Sequence, residues 1–266
     1  VIDCWITFFM LPCFCFVIVF WCFLIKTNAH LDERDSAKNQ VRLVLNGNRQ
    51  KGNVNMAMVR GRMDFLFRIN PDFIFKTQNS LLYQEFFEKK ADRDIFSRNY
   101  LYFKPQNRFY PYAIGYVSTN FRRRIDHRYF AGIGLTWQMI QTGLHSVKLS
   151  TNTIYESTVF DSQVFNFPEF DGKDNIRLWR QSIYLRGIHR IFEKKLTVFY
   201  DAFWQPHLLR SKNFRYQVNI GLDLPVWKGF NLNVNYFLGF ENVVAEKVLQ
   251  RDSIFTFGLS YQIKKL

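Results

Sequence analysis

The chain has 266 residues, a formal net charge of +14, and an aromatic share of 18% that includes 30 phenylalanines. So many aromatic residues exclude a disordered chain, and a mean hydropathy of −0.18 excludes a body built of membrane helices. All four cysteines lie between Cys4 and Cys22, so disulfides, thiolate metal sites and cysteine nucleophiles are excluded from the remainder.

Cys4 to Ile25 is almost continuously apolar, Lys26 ends the run, and Thr27, Asn28 and Ala29 are small residues of the kind a signal peptidase accepts. Residues 1–29 are therefore expected to be a secretory signal peptide, with an uncleaved membrane helix as the alternative. Residues 30–39, HLDERDSAKN, are charged and aperiodic and read as a periplasmic lead-in. Residues 40–266 then alternate between apolar and polar.

About twelve strands are expected, near Gln40–Arg49, Val54–Phe67, Phe73–Phe87, Ile95–Phe103, Arg108–Phe121, Arg128–Met139, His145–Glu156, Ile176–Phe192, Leu196–Gln205, Phe214–Val226, Phe230–Glu241 and Ser253–Ile263. The last three show the pattern best. Phe214, Tyr216, Val218, Ile220, Leu222 and Leu224 alternate with Arg215, Gln217, Asn219, Gly221 and Asp223. Strand side chains point to opposite faces with period two, so one face is oily and the other rich in amides and small residues. Strands of this length, apolar outside and polar inside, predict an all-β, antiparallel transmembrane up-and-down β-barrel; a lipocalin-like soluble barrel is the alternative.

Short connections rich in Pro, Gly and Asn (Asn70-Pro71-Asp72, Gln141-Thr142-Gly143, Trp227-Lys228-Gly229) alternate with longer charged ones such as 88–94, 122–127, 157–175 and 242–252. Barrels of the outer membrane have short periplasmic turns and longer outer loops. Tyr110, Tyr112, Tyr129, Trp137, Tyr155, Trp179, Trp204, Trp227 and Tyr261 lie toward strand ends, where an interfacial aromatic belt is expected.

Several stretches resemble one known family. Gly52-Asn53, the strand Phe109-Tyr110-Pro111-Tyr112-Ala113, Arg124 to Tyr129 leading into Gly132-Ile133-Gly134, Leu224-Pro225-Val226 and Gly258-Leu259-Ser260-Tyr261 are similar to the salt-induced outer-membrane protein family, domain of unknown function 481, in a form like those of the Bacteroidota. The resemblance implies an outer-membrane barrel in a Gram-negative bacterium, inserted by the barrel-assembly machinery. Chains of that family usually finish on an aromatic residue, whereas this one finishes Ile263-Lys264-Lys265-Leu266.

No motif of established chemistry appears. His30, His127, His145, His189 and His207 lack metal-ligand spacing, and no P-loop, dinucleotide or nucleophile-elbow signature occurs, so no cofactor, metal or catalytic residue is expected. A barrel-embedded lipid hydrolase is the enzyme alternative. Its one adjacent pair, His145-Ser146, projects to opposite faces of a strand. The basic residues are not gathered on one soluble face, which argues against nucleic acid.

Charges facing hydrocarbon cost up to about 2–4 kcal/mol each at mid-depth, so strand phase assigns Arg60, Arg62, Asp64, Lys148, Glu156, Arg180, Arg186, Asp201, Arg215, Asp223 and Glu241 to the lumen. Tyr184, Phe199, Phe203 and Phe237 share that face and suggest a narrow or filled interior. An open lumen would favour anions; a paired one would be a structural plug. Arg122, Arg123, Arg124 and Arg128 are assigned to an outer loop, where guanidinium groups suit the phosphates of lipopolysaccharide. The pattern leaves the oligomeric state open.

Overall fold

Period-two alternation, carried through twelve segments, produces a closed antiparallel barrel in the computed structural model, which describes residues 31–35, 37–52, 55–209 and 212–265. The strands are β1 (Asn39–Gln50), β2 (Met56–Arg68), β3 (Phe73–Phe86), β4 (Lys89–Phe103), β5 (Phe109–Asn120), β6 (Ile125–Gln141), β7 (His145–Phe160), β8 (Asn175–Ile191), β9 (Leu196–Pro206), β10 (Phe214–Trp227), β11 (Phe230–Glu241) and β12 (Arg251–Lys265). Each pairs with its chain neighbours, and β1 closes on β12 from Asn39 opposite Lys265 to Asn46 opposite Gly258. Closure matters because hydrocarbon offers no partner to a free N–H or C=O, so a spanning sheet can have no edge. The segment expected to be a signal peptide lies outside the described residues.

The two faces divide by chemistry. On β12, Phe255, Phe257 and Leu259 are exposed outward, whereas Thr256, Ser260 and Gln262 face the lumen and are at most 3% exposed. β11 repeats this, with Leu232 and Tyr236 outside and Asn231 and Asn233 buried inside. Amides and hydroxyls bond one another in the lumen, as Asn231 Nδ2 does to Ser260 Oγ, so the polar atoms buried there find partners within the barrel. Replacing Val218 or Val234, both on the outer face, with arginine is expected to impair insertion by about 2–4 kcal/mol. Asn219→Arg, on the inner face beside Asp201, is expected to be tolerated. Equal folding yields for all three variants in lipid vesicles would overturn the phase assignment.

Several expectations need correction. Of residues 88–94, expected as an outer loop, 89–94 belong to β4, and Phe87 and Glu88 alone form the turn, both with positive φ. Such a two-residue turn normally uses Asn or Gly, and neither is present to signal it. β6 and β7 run farther outward than expected, to Ile125 and Phe160, which leaves only 121–124 between β5 and β6. Tyr110 and Tyr112 do not join the outer belt. They point inward and are at most 5% exposed, because the outward positions of β5 go to Pro111 and Ala113. Tyr129, Tyr155, Trp179, Trp204 and Trp227 do face outward and are 42–51% exposed.

Gly132 and Gly134 on β6 hold a close approach. A Cβ at Gly132 would lie 2.1 Å from the Thr153 carbonyl oxygen, and one at Gly134 would lie 2.3 Å from that of Thr151. β7 can therefore press against β6 only where the side chain is absent. Gly134→Val is expected to lower barrel stability, read as a shifted urea midpoint, while Gly115→Ala on the open outer face is expected to leave it unchanged.

Candidate functional site

The lumen is built in two storeys. At the inner end, Tyr100, Tyr102, Tyr110 and Tyr112 pack with Leu66, Ile74 and Ile154, and Leu31 joins them from the lead-in. Tyr100 and Tyr102 stack with centroids 5.5 Å apart, and Tyr102 meets Tyr110 edge-on at 5.9 Å. These residues fill the inner storey.

The lead-in, expected as a solvated periplasmic segment, is seated in this inner mouth. Leu31, Glu33 and Ala37 are at most 2% exposed. Glu33 accepts a hydrogen bond from Tyr110 Oη at 2.9 Å, pairs with Lys148, and lies 3.8 Å from Lys76 Nζ. Arg186 donates to the Leu31 carbonyl at 3.4 Å, and Arg34 donates to the carbonyls of Gln106 and Asn107 in the β4–β5 turn at 2.7 and 2.9 Å. Burial alone would raise the Glu33 carboxyl, but Lys148, Lys76 and Arg186 outweigh it and hold the group below the usual carboxylate range. The segment is a plug fastened by one buried carboxylate.

Above the plug, the outer storey holds a cavity of about 240 Å³. Nine arginines line it (Arg42, Arg60, Arg62, Arg98, Arg122, Arg123, Arg128, Arg186 and Arg215) against four carboxylates, Asp94, Asp201, Glu241 and Asp252. Arg98 lies over the Phe203 ring at 4.5 Å, and Phe203 stacks on Tyr184 at 4.2 Å, so a guanidinium is held by aromatic faces instead of a carboxylate. The Nε atoms of Arg60 and Arg98 are buried and meet no acceptor among the described residues.

Most of the inward charges have a partner. Arg62 donates to both oxygens of Asp64, at 2.9 and 3.2 Å. Arg42 donates to Asp223, which also accepts from Asn233 at 2.7 Å. Glu156 sits between Arg180 at 3.3 Å, Arg128 at 3.9 Å and Arg215. Asn219 donates to Asp201 at 3.1 Å. Of the eleven, Arg60, Arg62, Arg186, Asp201, Arg215 and Glu241 line the cavity, Lys148 meets the plug, and Asp64, Glu156, Arg180 and Asp223 are buried. Arg42, Lys76 and Arg98 went unassigned. Arg42 was legible as the even position beside outward-facing Leu43 and Leu45.

The outer-loop assignment of four arginines needs revision. Arg128 forks onto Glu241 with two bonds of 2.8 Å, and Arg123 pairs with Asp252 at 2.8 Å; both are under 10% exposed. With β6 beginning at Ile125, Arg128 has the phase of Phe130 and must enter the lumen. Arg122 is half-engaged, 2.6 Å from Asp92, and Arg124 is exposed. The hydrolase pair also separates. Ser146 Oγ bonds Gln141 at 3.0 Å, whereas His145 Nδ1 lies 3.2 Å from His189 Nδ1.

Loops 161–174 and 242–250 fold over one side of the outer mouth. Phe165, Phe170 and Val243 pack there with Ile125, Phe160, Ile176 and Leu178.

Comparison with known proteins gives the same architecture. A family model described as protein of unknown function, DUF481, matches residues 45–263. No curated protein matches. Among solved structures, the NanC porin aligns at 10% identity and TM-score 0.51, covering 85% of this chain and all of that one. An outer membrane channel from Pseudomonas putida F1 aligns at 11% identity and TM-score 0.46 over 90% of this chain and 99% of that one. The translocator domain of the autotransporter NalP from Neisseria meningitidis aligns at 11% identity and TM-score 0.45 over 87% and 90%. At 10% identity the likeness to the porin is one of fold.

Proposed function

The chain belongs to the DUF481 family of unknown function, and from that premise we propose that it is an outer-membrane channel of a Gram-negative bacterium that admits small anions and is closed from the periplasmic side by its own lead-in. The observation that carries this reading is the lining of the cavity, where Arg42, Arg62, Arg122, Arg123, Arg128 and Arg215 are paired with carboxylates while Arg60, Arg98 and Arg186 have no carboxylate within 4 Å among the described residues. A surplus of fixed positive charge in a narrow, partly desolvated lumen attracts anions and repels cations, and guanidinium donors without a protein acceptor suit a passing carboxylate or phosphate. The reaction class is transport, with no bond made or broken. On the outside, Arg124 and the exposed part of Arg122 fit the phosphates of lipopolysaccharide.

The test is ion selectivity. Purified chain lacking the lead-in, in a planar bilayer under a potassium chloride gradient, is expected to give a reversal potential of the sign set by chloride. Arg60→Ala with Arg98→Ala is expected to reduce that preference at unchanged folding. A potassium-selective reversal potential would overturn the proposal.

A further inference from the structure

We propose that His145 and His189 form a binding site for a divalent transition-metal ion, zinc being the ion their geometry fits, at the inner rim of the barrel. The reading is independent of what the lumen transports.

The two histidines are 44 residues apart in the chain, so no sequence spacing marks them, and the sheet brings them together. His145 opens β7, His189 stands two residues before the end of β8, and the register sets them directly opposite each other. The Arg190 N–H donates to the Leu144 carbonyl at 2.8 Å, which makes the neighbouring pair, 144 and 190, the hydrogen-bonded one. Hydrogen-bonded and non-hydrogen-bonded pairs alternate along an antiparallel ladder, so the histidines occupy the kind whose side chains stand closer. Both share the phase of the outward-facing Tyr155, Trp179 and Ile183, and both are half-buried beside the short turn 142–144.

The separations are those a tetrahedral ion requires. The two Nδ1 atoms are 3.2 Å apart and the ring centroids 5.3 Å. Two imidazoles bound to zinc at about 2.05 Å hold their nitrogens about 3.3 Å and their centroids about 5.2 Å apart, so the ion enters with shifts of about 0.1–0.2 Å. The right angle of a square-planar ion such as copper(II) sets the nitrogens about 2.9 Å apart, a poorer fit.

A second observation shows that one ligand is oriented from behind. An imidazole binds metal through an unprotonated nitrogen, and the hydrogen bond of its other nitrogen decides which one that is. His189 Nε2 lies 3.4 Å from Tyr200 Oη. Assigning the proton to Nε2, as donor to that oxygen, leaves Nδ1 bare and turned toward His145. Tyr200 reaches this position by lying over Gly187, its opposite residue on β8, where a Cβ would stand 2.2 Å from the tyrosine ring. Among the described residues no third histidine, cysteine or carboxylate joins the pair, so the protein supplies two ligands and water completes the shell. The ion ties β7 to β8 three positions from Lys148 and Arg186, the opposed pair that holds the lead-in.

The test is a zinc titration of the full chain, purified without a histidine tag, against a chromophoric zinc chelator. The natural chain is expected to bind one zinc more than a variant carrying both His145→Ala and His189→Ala, and His127→Ala, at the opposite rim, is expected to leave that zinc in place. Tyr200→Phe keeps the ring over Gly187 and removes only the hydroxyl; it is expected to weaken the zinc about tenfold, a change that a tyrosine engaged only in packing would not give. Cobalt in place of zinc is expected to show, in the difference between natural and double-variant chains, the intense visible absorption of a tetrahedral site. Zinc bound equally by the natural chain and the double variant, with both barrels heat-modifiable, would overturn the proposal, as would the pale spectrum of six-coordinate cobalt in that difference.

Discussion

Glu33→Ala is expected to open the barrel. The residue is fully buried and is the carboxylate that faces both Lys148 and Lys76, so its removal leaves two cations at the inner mouth uncompensated. Breaking a buried pair in this way costs about 3–5 kcal/mol, and each 1.4 kcal/mol is about tenfold in occupancy, so the docked state is expected to fall by a factor of roughly a hundred or more. Single-channel recording checks this: rare, short openings in the natural chain and sustained steps in the variant. Deleting residues 31–37 is expected to give the same sustained steps, because it removes Leu31 and Glu33 from among the tyrosines of the inner storey. The sign of the pH dependence follows from the depressed Glu33 carboxyl. Its contribution to docking is complete above the free carboxylate value of about 4.3 and is lost as pH falls below it. Closure is thus expected to hold at neutral pH and to loosen in acid.

The second large effect is expected at Glu156. This carboxylate is 2% exposed and is shared by Arg180, Arg215 and Arg128 at the outer end of the lumen. Glu156→Ala leaves Glu241 as the one carboxylate paired within this cluster, on Arg128. A loss of about 3–5 kcal/mol in urea unfolding from lipid vesicles is expected. Combining it with Arg215→Leu removes one of the stranded charges and is expected to recover part of that loss; additive losses would show that the pair is not coupled. The same cluster ties β6, β7, β8, β10 and β11 together, so the outer loops over that sector are expected to gain mobility in the single variant.

Much of the architecture was legible because transmembrane strands obey a simple rule. Within Phe214–Val226, Phe230–Phe240 and Phe255–Ile263 every second position is apolar, and each charge between them, such as Arg215 or Asp223, had one place to go. The rule misled where size and polarity disagreed. In Tyr110-Pro111-Tyr112-Ala113 the larger residues looked like a lipid-facing belt, yet they fill the inner storey, because a closed barrel of this width needs bulk inside. Turns were legible where glycine or asparagine marked them and not at Phe87-Glu88. The plug was illegible for a different reason. Its fastening joins Glu33 to Lys148, 115 residues apart, and a charged segment without periodicity carries no local signal of a distant partner. Arg128 was misplaced by starting β6 three residues late, after which its pairing with Glu241 on β11 could not be read.

The claim beneath all of this is that the oily face lies against lipid and the amide-rich face encloses the lumen. Collision accessibility of spin labels measures it directly. Labels at Ile133 and Phe257, 74% and 70% exposed, are expected to be relaxed strongly by oxygen and weakly by a water-soluble nickel complex in lipid vesicles. Labels at Ser80 and Asn235, which line the cavity, are expected to show little oxygen access. Strong relaxation of Ile133 and Phe257 by the nickel complex would place that face in water and contradict the account.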